Sequence, residues 1–480
     1  MTKALWDGIR RDRVETVVVG NGPLAPEEVA AVARGGAKVE LSPGATKLIE
    51  TGREHVDALA GDTAPHYGIS TGFGALAARH IPPSRRAQLQ RSLIRSHAAG
   101  SGPAVEREVV RAMMLLRLAT LATGHTGVRL GTVKAYAAML NAGITPVVPE
   151  HGSLGCSGDL APLAHCALAA MGEGEVLVDG TGEGALSSAG EAARRLAGES
   201  GRPRVGERAL TTVGEGARPA GDALREAGIE PLTLADKEGL ALVNGTDGML
   251  GMLVLACADL RRLLKTADIA AAMSVEALLG TDAAFAADLQ ELRPHPGQSA
   301  SAANLRALVA GSAIMASHRG PQDPRVQDAY SLRCAPQVHG AARDTLAHAE
   351  LVASREMMAA IDNPVVTADG RVVSNGNFHG APLGYVLDFL AIAVADVASM
   401  SERRTDRFLD PARSHGLPPF LADDPGVDSG HMIAQYTQAA IVSELKRLAA
   451  PASVDSIPSS AMQEDHVSMG WNSARKLRQA

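Results

Sequence analysis

Aromatic residues make up only 3% of the 480-residue chain. A core must then be built from Ala, Leu, Val and Met, and such side chains favour closely packed helices over sheets. Cysteine is scarce too. Cys156, Cys166, Cys257 and Cys334 lie far apart with no C-x-x-C pair, which argues against a disulfide framework or a structural zinc site. The opening residues, MTKALWDGIRRDRVE, lack the apolar run of a secretory signal. No stretch runs long enough without a charge or break to span a bilayer. The net charge of −7 gives no reason to expect nucleic acid or an anionic membrane as partner. These absences together predict a cytoplasmic protein.

What is present is mainly helical pattern. Residues 14–50 read strand, helix, strand: VETVVV is β-branched, Pro26 opens a helix that closes at Gly35-Gly36, and AKVELS follows. In 84–99, Ser84 is the expected N-cap after Pro82-Pro83, and Leu89, Leu93 and His97 recur every four residues. Residues 104–123 are strongly apolar and stop at Gly124. Longer periodic segments cover 249–279, 345–361, 382–404 and 431–449. Apolar around much of their circumference, these need burial among other helices, including those of other subunits. Residues 180–221, rich in Gly, Arg, Glu and Ser, read as a variable surface insertion. The predicted fold is mostly α: a long central helical bundle with a smaller N-terminal domain containing a short strand pair. The expected division is 1–124, with a Gly-rich loop, and 125–480, the elongated helical domain.

Gly20-Asn21-Gly22-Pro23-Leu24-Ala25 fits the dinucleotide fingerprint G-x-G-x-x-A, with Glu40 at nearly the right distance. Pro23 removes one backbone N–H from the loop that would cradle pyrophosphate. The following residues also supply no alternating strands and helices for a parallel sheet. A strand-turn-helix edge is the better reading.

The segment Gly152-Ser-Leu-Gly-Cys-Ser-Gly-Asp-Leu-Ala-Pro-Leu-Ala-His165 crowds small residues ahead of a short helix that Asp159 and Pro162 open. Alone, it reads as an ordinary capped glycine turn. If bent tightly, it permits specific chemistry. The Gly158 amide nitrogen attacks the Cys156 carbonyl carbon, since no Cβ blocks the approach. Loss of water closes a ring, and loss of the Ser157 hydroxyl leaves an exocyclic methylidene. The product is 4-methylideneimidazole-5-one (MIO), an electron-poor alkene that helix N-termini would sharpen.

That segment resembles the MIO signature of the histidine and aromatic amino-acid ammonia-lyase family. Further blocks resemble the family in its order: Tyr67–Gly74, Leu242–Thr246, Val326–Gln337, Asn375–His379 and Gln463–Met469. The resemblance spans nearly the whole chain from about residue 17. It implies conversion of L-histidine to trans-urocanate and ammonia, with MIO formed from Cys156, Ser157 and Gly158 and no metal or external cofactor. Tyrosine or phenylalanine ammonia-lyases and aminomutases are the nearest alternatives. It also implies a homotetramer whose sites combine residues from different subunits.

By the same resemblance, Tyr67 is the base for the β-proton, which requires a lowered phenol pKa and hence positive potential nearby. Read alone, it equally anchors the loop. Arg333 would clamp the substrate carboxylate with its guanidinium fork, with Tyr330 and Gln327 around the same cavity; a surface ion pair is the plainer reading. Asn244 would bond near the ring or the carboxylate, or else cap a helix. Phe378 would line the pocket, or the core. His97 and Glu464 resemble the residues that select histidine, although a residue placed like His97 is usually a core histidine. A carboxylate facing imidazole makes a charge-assisted bond that a phenyl ring cannot return. Two positions depart from the family pattern. Cys156 stands where Ala is common, and its side chain takes no part in ring closure. Ser70 stands where Asn is common.

Overall fold

The computed structural model describes residues 14–178, 216–320 and 326–480. Its axis is the helix Asp247–Ala277, 31 residues long. At 1.5 Å per residue it spans about 45 Å. Met249–Cys257 is buried on every side, as a helix apolar all round must be. The helices Pro26–Gly35, Arg107–Ala122, Ala335–Glu356, Ala381–Leu409 and Gly470–Gln479 pack around it. One core cluster runs from Val17 to Leu477 and encloses the first part of the axial helix. A second, built on Val275, Phe285, Leu305 and Leu332, surrounds its C-terminal end.

The strand, helix, strand reading of residues 14–50 holds. Thr16–Val19 and Lys38–Leu41 pair in parallel through the Pro26–Gly35 helix. Among the described residues no third strand joins them, so there is no open parallel sheet whose carboxyl ends could hold a dinucleotide. The helix start is also occupied: the Glu28 carboxylate accepts from the Ala25 amide at 2.7 Å. An anion already sits where pyrophosphate would be drawn.

Two expectations are corrected. Ser84 does not cap its helix, which runs Pro83–His97 with Pro82 as the preceding residue. Proline at the first position sets φ for the helix and has no N–H to satisfy. The buried face is Arg86, Gln90, Leu93 and Ile94, with Leu89 half-exposed. Arg86 is buried because its guanidinium donates to the Ala60 and Ile81 carbonyls. The second correction concerns bilayers. Ala381–Leu409 is long and apolar enough, by length and composition, to cross one. Here it is a core helix: Leu383, Leu387 and Leu390 are buried, and Asp388 accepts from the Ala452 and Ser453 amides.

Most of the predicted insertion at 180–221 lies outside the described residues. In its described end, Arg218–Pro219 pairs antiparallel with Glu175 and Val176.

Candidate active site

Cys156-Ser157-Gly158 forms a tight turn before the helix Leu160–Ala170. Gly155 (φ +64°) and Gly158 (φ +80°) both adopt left-handed backbone, which glycine takes without strain. A Cβ on Gly158 would lie 2.1 Å from the Gly245 carbonyl oxygen. That oxygen accepts from the Asp159 amide at 2.7 Å, so the turn is pressed against the start of the axial helix. Asp159 is fully buried and serves that second helix rather than its own. It accepts from the Gly248 and Met249 amides at 3.0 and 2.9 Å and from the Ser153 hydroxyl at 2.8 Å. Burial pushes its carboxyl up to about 7, against the pull of those donors. On the far side, the Met469 amide donates to Leu154 and the Ser468 hydroxyl to Gly155. The turn therefore lies at the N-termini of three helices, beginning at Leu160, Asp247 and Gly470.

Glu464 connects the other groups. Ser157 Oγ donates to Glu464 Oε1 at 3.5 Å, and Ser459 Oγ to Oε2 at 3.0 Å. Burial, then the Glu464 charge, push the Cys156 thiol up to about 12. His97 ends its helix at the same place. Burial lowers its pKa, while the Glu464 charge pulls the other way. Its Nδ1 lies 3.0 Å from Ser96 Oγ, whose proton goes to the Leu93 carbonyl. That arrangement favours the hydrogen on Nδ1, which would leave Nε2 as an acceptor.

The Tyr67 hydroxyl accepts from the Gly74 amide at 3.2 Å, and its ring meets Phe73 edge-on. The expectation of a lowered phenol pKa is corrected. Burial raises it, and the charges acting on it, Glu464 and Asp362, are both negative. Asn244 is 2% exposed, and its side-chain oxygen has no hydrogen-bond partner among the described residues, so it is free to bond a cofactor or substrate group. Half-buried Phe378 precedes His379, whose Nε2 meets His466 Nδ1 at 3.1 Å. That contact joins the Asn375–His379 block to the one holding Glu464.

Gln327, Tyr330 and Arg333 stand together but apart from this group. The Arg333 guanidinium lies 4.6 Å over the Tyr330 ring and donates to the Asp328 carbonyl at 2.9 Å. Asp328 accepts from the Thr281 amide, just past the C-terminal end of the axial helix. Asn244 is just before its N-terminal end. About 45 Å of helix thus separates the two sets. Tyr330 is 70% exposed and Gln327 is exposed as well.

Sequence reasoning missed Arg117 and the buried ion pair of Lys237 with Asp362. The signal for Arg117 was a charge inside the apolar run 104–123. Asp362 in turn accepts, through its backbone carbonyl, from the Asn375 side chain at 3.0 Å. The residues present fit the ring expected of Cys156-Ser157-Gly158. Two left-handed glycines bend the turn, no hydrogen bond among the described residues engages the Gly158 amide nitrogen, and the unpartnered Asn244 oxygen is nearby in the Gly245 segment.

A family model described as aromatic amino acid lyase matches residues 24–480. A protein of Streptomyces avermitilis named histidine ammonia-lyase is 63% identical over 467 residues, which cover 97% of this chain and 84% of that protein. One of the same name from Gloeobacter violaceus is 49% identical over 96% of this chain and 82% of its own length. The solved structure of histidine ammonia-lyase from Trypanosoma cruzi superposes with a TM-score of 0.81 at 40% identity, covering 97% of this chain and 80% of that one. Tyrosine aminomutase from Streptomyces globisporus superposes with a TM-score of 0.84 at 36% identity, covering 97% and 84%. The backbone is thus common to enzymes of different outcome, and the side chains must separate them.

Proposed function

The chain belongs to the aromatic amino acid lyase family, and from that premise we propose that it is a histidine ammonia-lyase, converting L-histidine to trans-urocanate and ammonia in histidine catabolism. The identity of 62–63% to proteins of that name over nearly the full length supports the reading. The observation that carries it is the position of Glu464, beside Ser157 and close enough for its charge to act on His97.

The MIO formed from Cys156, Ser157 and Gly158 would supply an electron-poor alkene that takes up the substrate amine and improves it as a leaving group. Gly245 and Asp159 hold the turn that bears it. Glu464 accepts a charge-assisted hydrogen bond from the single N–H of the neutral imidazole, and His97 stands at the same end of the site. Asn244 binds beside the amine or carboxylate through its unpartnered oxygen. Phe378 closes the apolar side. Tyr67 takes the β-proton.

Arg333, Tyr330 and Gln327 reach a site only from another copy of the chain, because about 45 Å of helix separates them from their own Ser157. Exposed apolar side chains supply surfaces for that assembly: Tyr385, Phe389 and Ile392 on one long helix, Ile269 and Met273 on the axial one. A homotetramer satisfies this requirement symmetrically. The arriving guanidinium clamps the substrate carboxylate and brings Tyr67 the positive potential that its own chain lacks.

Turnover of histidine, tyrosine and phenylalanine by the purified protein, followed by product absorbance, tests the assignment. Histidine should be fastest, with urocanate as product. Faster turnover of phenylalanine, or a β-amino acid product, would overturn it. Glu464→Gln should lower kcat/KM for histidine by about 5- to 150-fold, the equivalent of about 1–3 kcal/mol for one charge-assisted bond. An unchanged value would remove Glu464 from the imidazole site.

A phenol base, raised by burial within its own chain and drawn down by the arriving guanidinium, gives a pH prediction as long as its pKa stays above neutral. At neutral pH Tyr67 is largely protonated, and below its pKa the phenolate fraction rises about tenfold per pH unit. Hence kcat/KM should climb from neutral into alkaline pH. A profile that peaks on the acid side would exclude Tyr67 as the base.

A further inference from the structure

Arg117 lies within the Arg107–Ala122 helix with its side chain at 0% exposure. Its Nη1 donates to the carbonyls of Ala241 and Asn244 at 2.9 and 3.1 Å. Nη2 donates to Asp247 Oδ2 at 2.5 Å and to the Ile361 carbonyl at 3.3 Å. One rigid planar fork thereby ties together the segments on either side of Asn244-Gly245 and the segment that ends at Ile361. Gly245 lies flat on that fork: a Cβ there would be 1.8 Å from Nη2. Its other side faces Gly158, and its carbonyl accepts the Asp159 amide. Gly245 is therefore held between a buried guanidinium and the tripeptide turn.

We propose that Arg117 is a positioning residue for the self-formed electrophile: it fixes Gly245 as the wall that folds Gly158 back toward Cys156, and it aims Asn244 from the same fork. The proposal rests on the lyase reading above. Ring closure forms one bond, from Gly158 nitrogen to the Cys156 carbonyl carbon. The Cys156 oxygen leaves as water with the Gly158 and Ser157 amide hydrogens. The Ser157 hydroxyl leaves as a second water with the Ser157 Cα hydrogen. No oxidant is needed, so the rate depends on how closely the turn is bent and held. A receding wall relaxes the turn, while the chemistry of the three residues stays the same.

Two variants separate positioning from folding. Arg117→Lys keeps a charge opposite Asp247 but lacks the fork that reaches four acceptors at once. Arg117→Met combined with Asp247→Asn removes both charges, so no unpaired ion is buried. Intact mass counts the waters lost, circular dichroism reports folding, and urocanate release per dehydrated chain reports the site. Both variants should fold, close the ring at least about tenfold more slowly and so retain chains carrying both waters. Turnover per dehydrated chain should also fall, because Asn244 loses its anchor. A folded variant that loses both waters completely and keeps wild-type kcat and KM overturns the proposal. So does failure of both variants to fold, which would make Arg117 a residue of the fold alone. Wild-type chains that keep both waters would instead sink the lyase reading.

Discussion

Ser157→Ala is expected to give a folded protein that has lost nearly all activity. The hydroxyl makes one bond at 3.5 Å, to Glu464, in a half-buried turn held by other groups. Asp159, Gly245, Met469 and Ser468 keep their contacts when it is removed. The cost to stability should stay within about 0.5–1.5 kcal/mol. The chemical cost is of another order. Without an oxygen to lose, no methylidene can form, and the amine keeps its poor leaving ability. Urocanate formation should fall on the order of a thousandfold or more, about 4 kcal/mol of barrier. Intact mass gives an independent reading: the variant can lose one water at most, where the parent loses two. Turnover like that of the parent would end the mechanism proposed above.

Chains carrying Arg333→Met and chains carrying Ser157→Ala should each be nearly inactive, yet regain activity when assembled together. Arg333→Met removes a bidentate clamp on the substrate carboxylate, a loss on the order of a hundredfold. The reason for recovery is geometric. Within one chain, Arg333 rests on Tyr330 at the far end of a helix of 31 residues from Asn244. On the proposed reading, each site draws its turn and its clamp from different copies. In a random one-to-one assembly, about a quarter of the sites receive both intact parts. Activity of the mixed assembly is the measurement. If it does not exceed the sum of the two separate preparations, the site is built within one chain.

The parts legible in the sequence were those encoded locally. The turn at 156–158, Asn244, Glu464 and His97 each stood out through a short stretch that resembles the family, not through residue type alone. The strand, helix, strand start was legible because proline, glycine and β-branched runs punctuate it. Arg117 was harder. Its role depends on Asp247, 130 positions away, and no spacing rule records such a contact. Asp159 was placed correctly at a helix start, but the amides that it caps belong to another helix. The pKa of Tyr67 took the opposite sign because burial and the nearby carboxylates decide it, and neither is written in the loop. In the Pro83–His97 helix the apolar repeat pointed to Leu89. The buried face instead includes Arg86 and Gln90, whose polar ends find carbonyl and amide partners.

The axial helix has a consequence for how this chain can vary. In the proposed assembly, its N-terminal end supports the turn of one reaction centre and its C-terminal end carries the clamp offered to another. Each residue in it adds about 1.5 Å and turns the chain by about 100°. One inserted residue would swing the Tyr330–Arg333 platform by more than a quarter turn relative to Asn244. Two centres in different copies would be mis-set by a single change. The helix is a ruler whose graduations are whole turns, and the proposed assembly would inherit from it the distance between neighbouring centres.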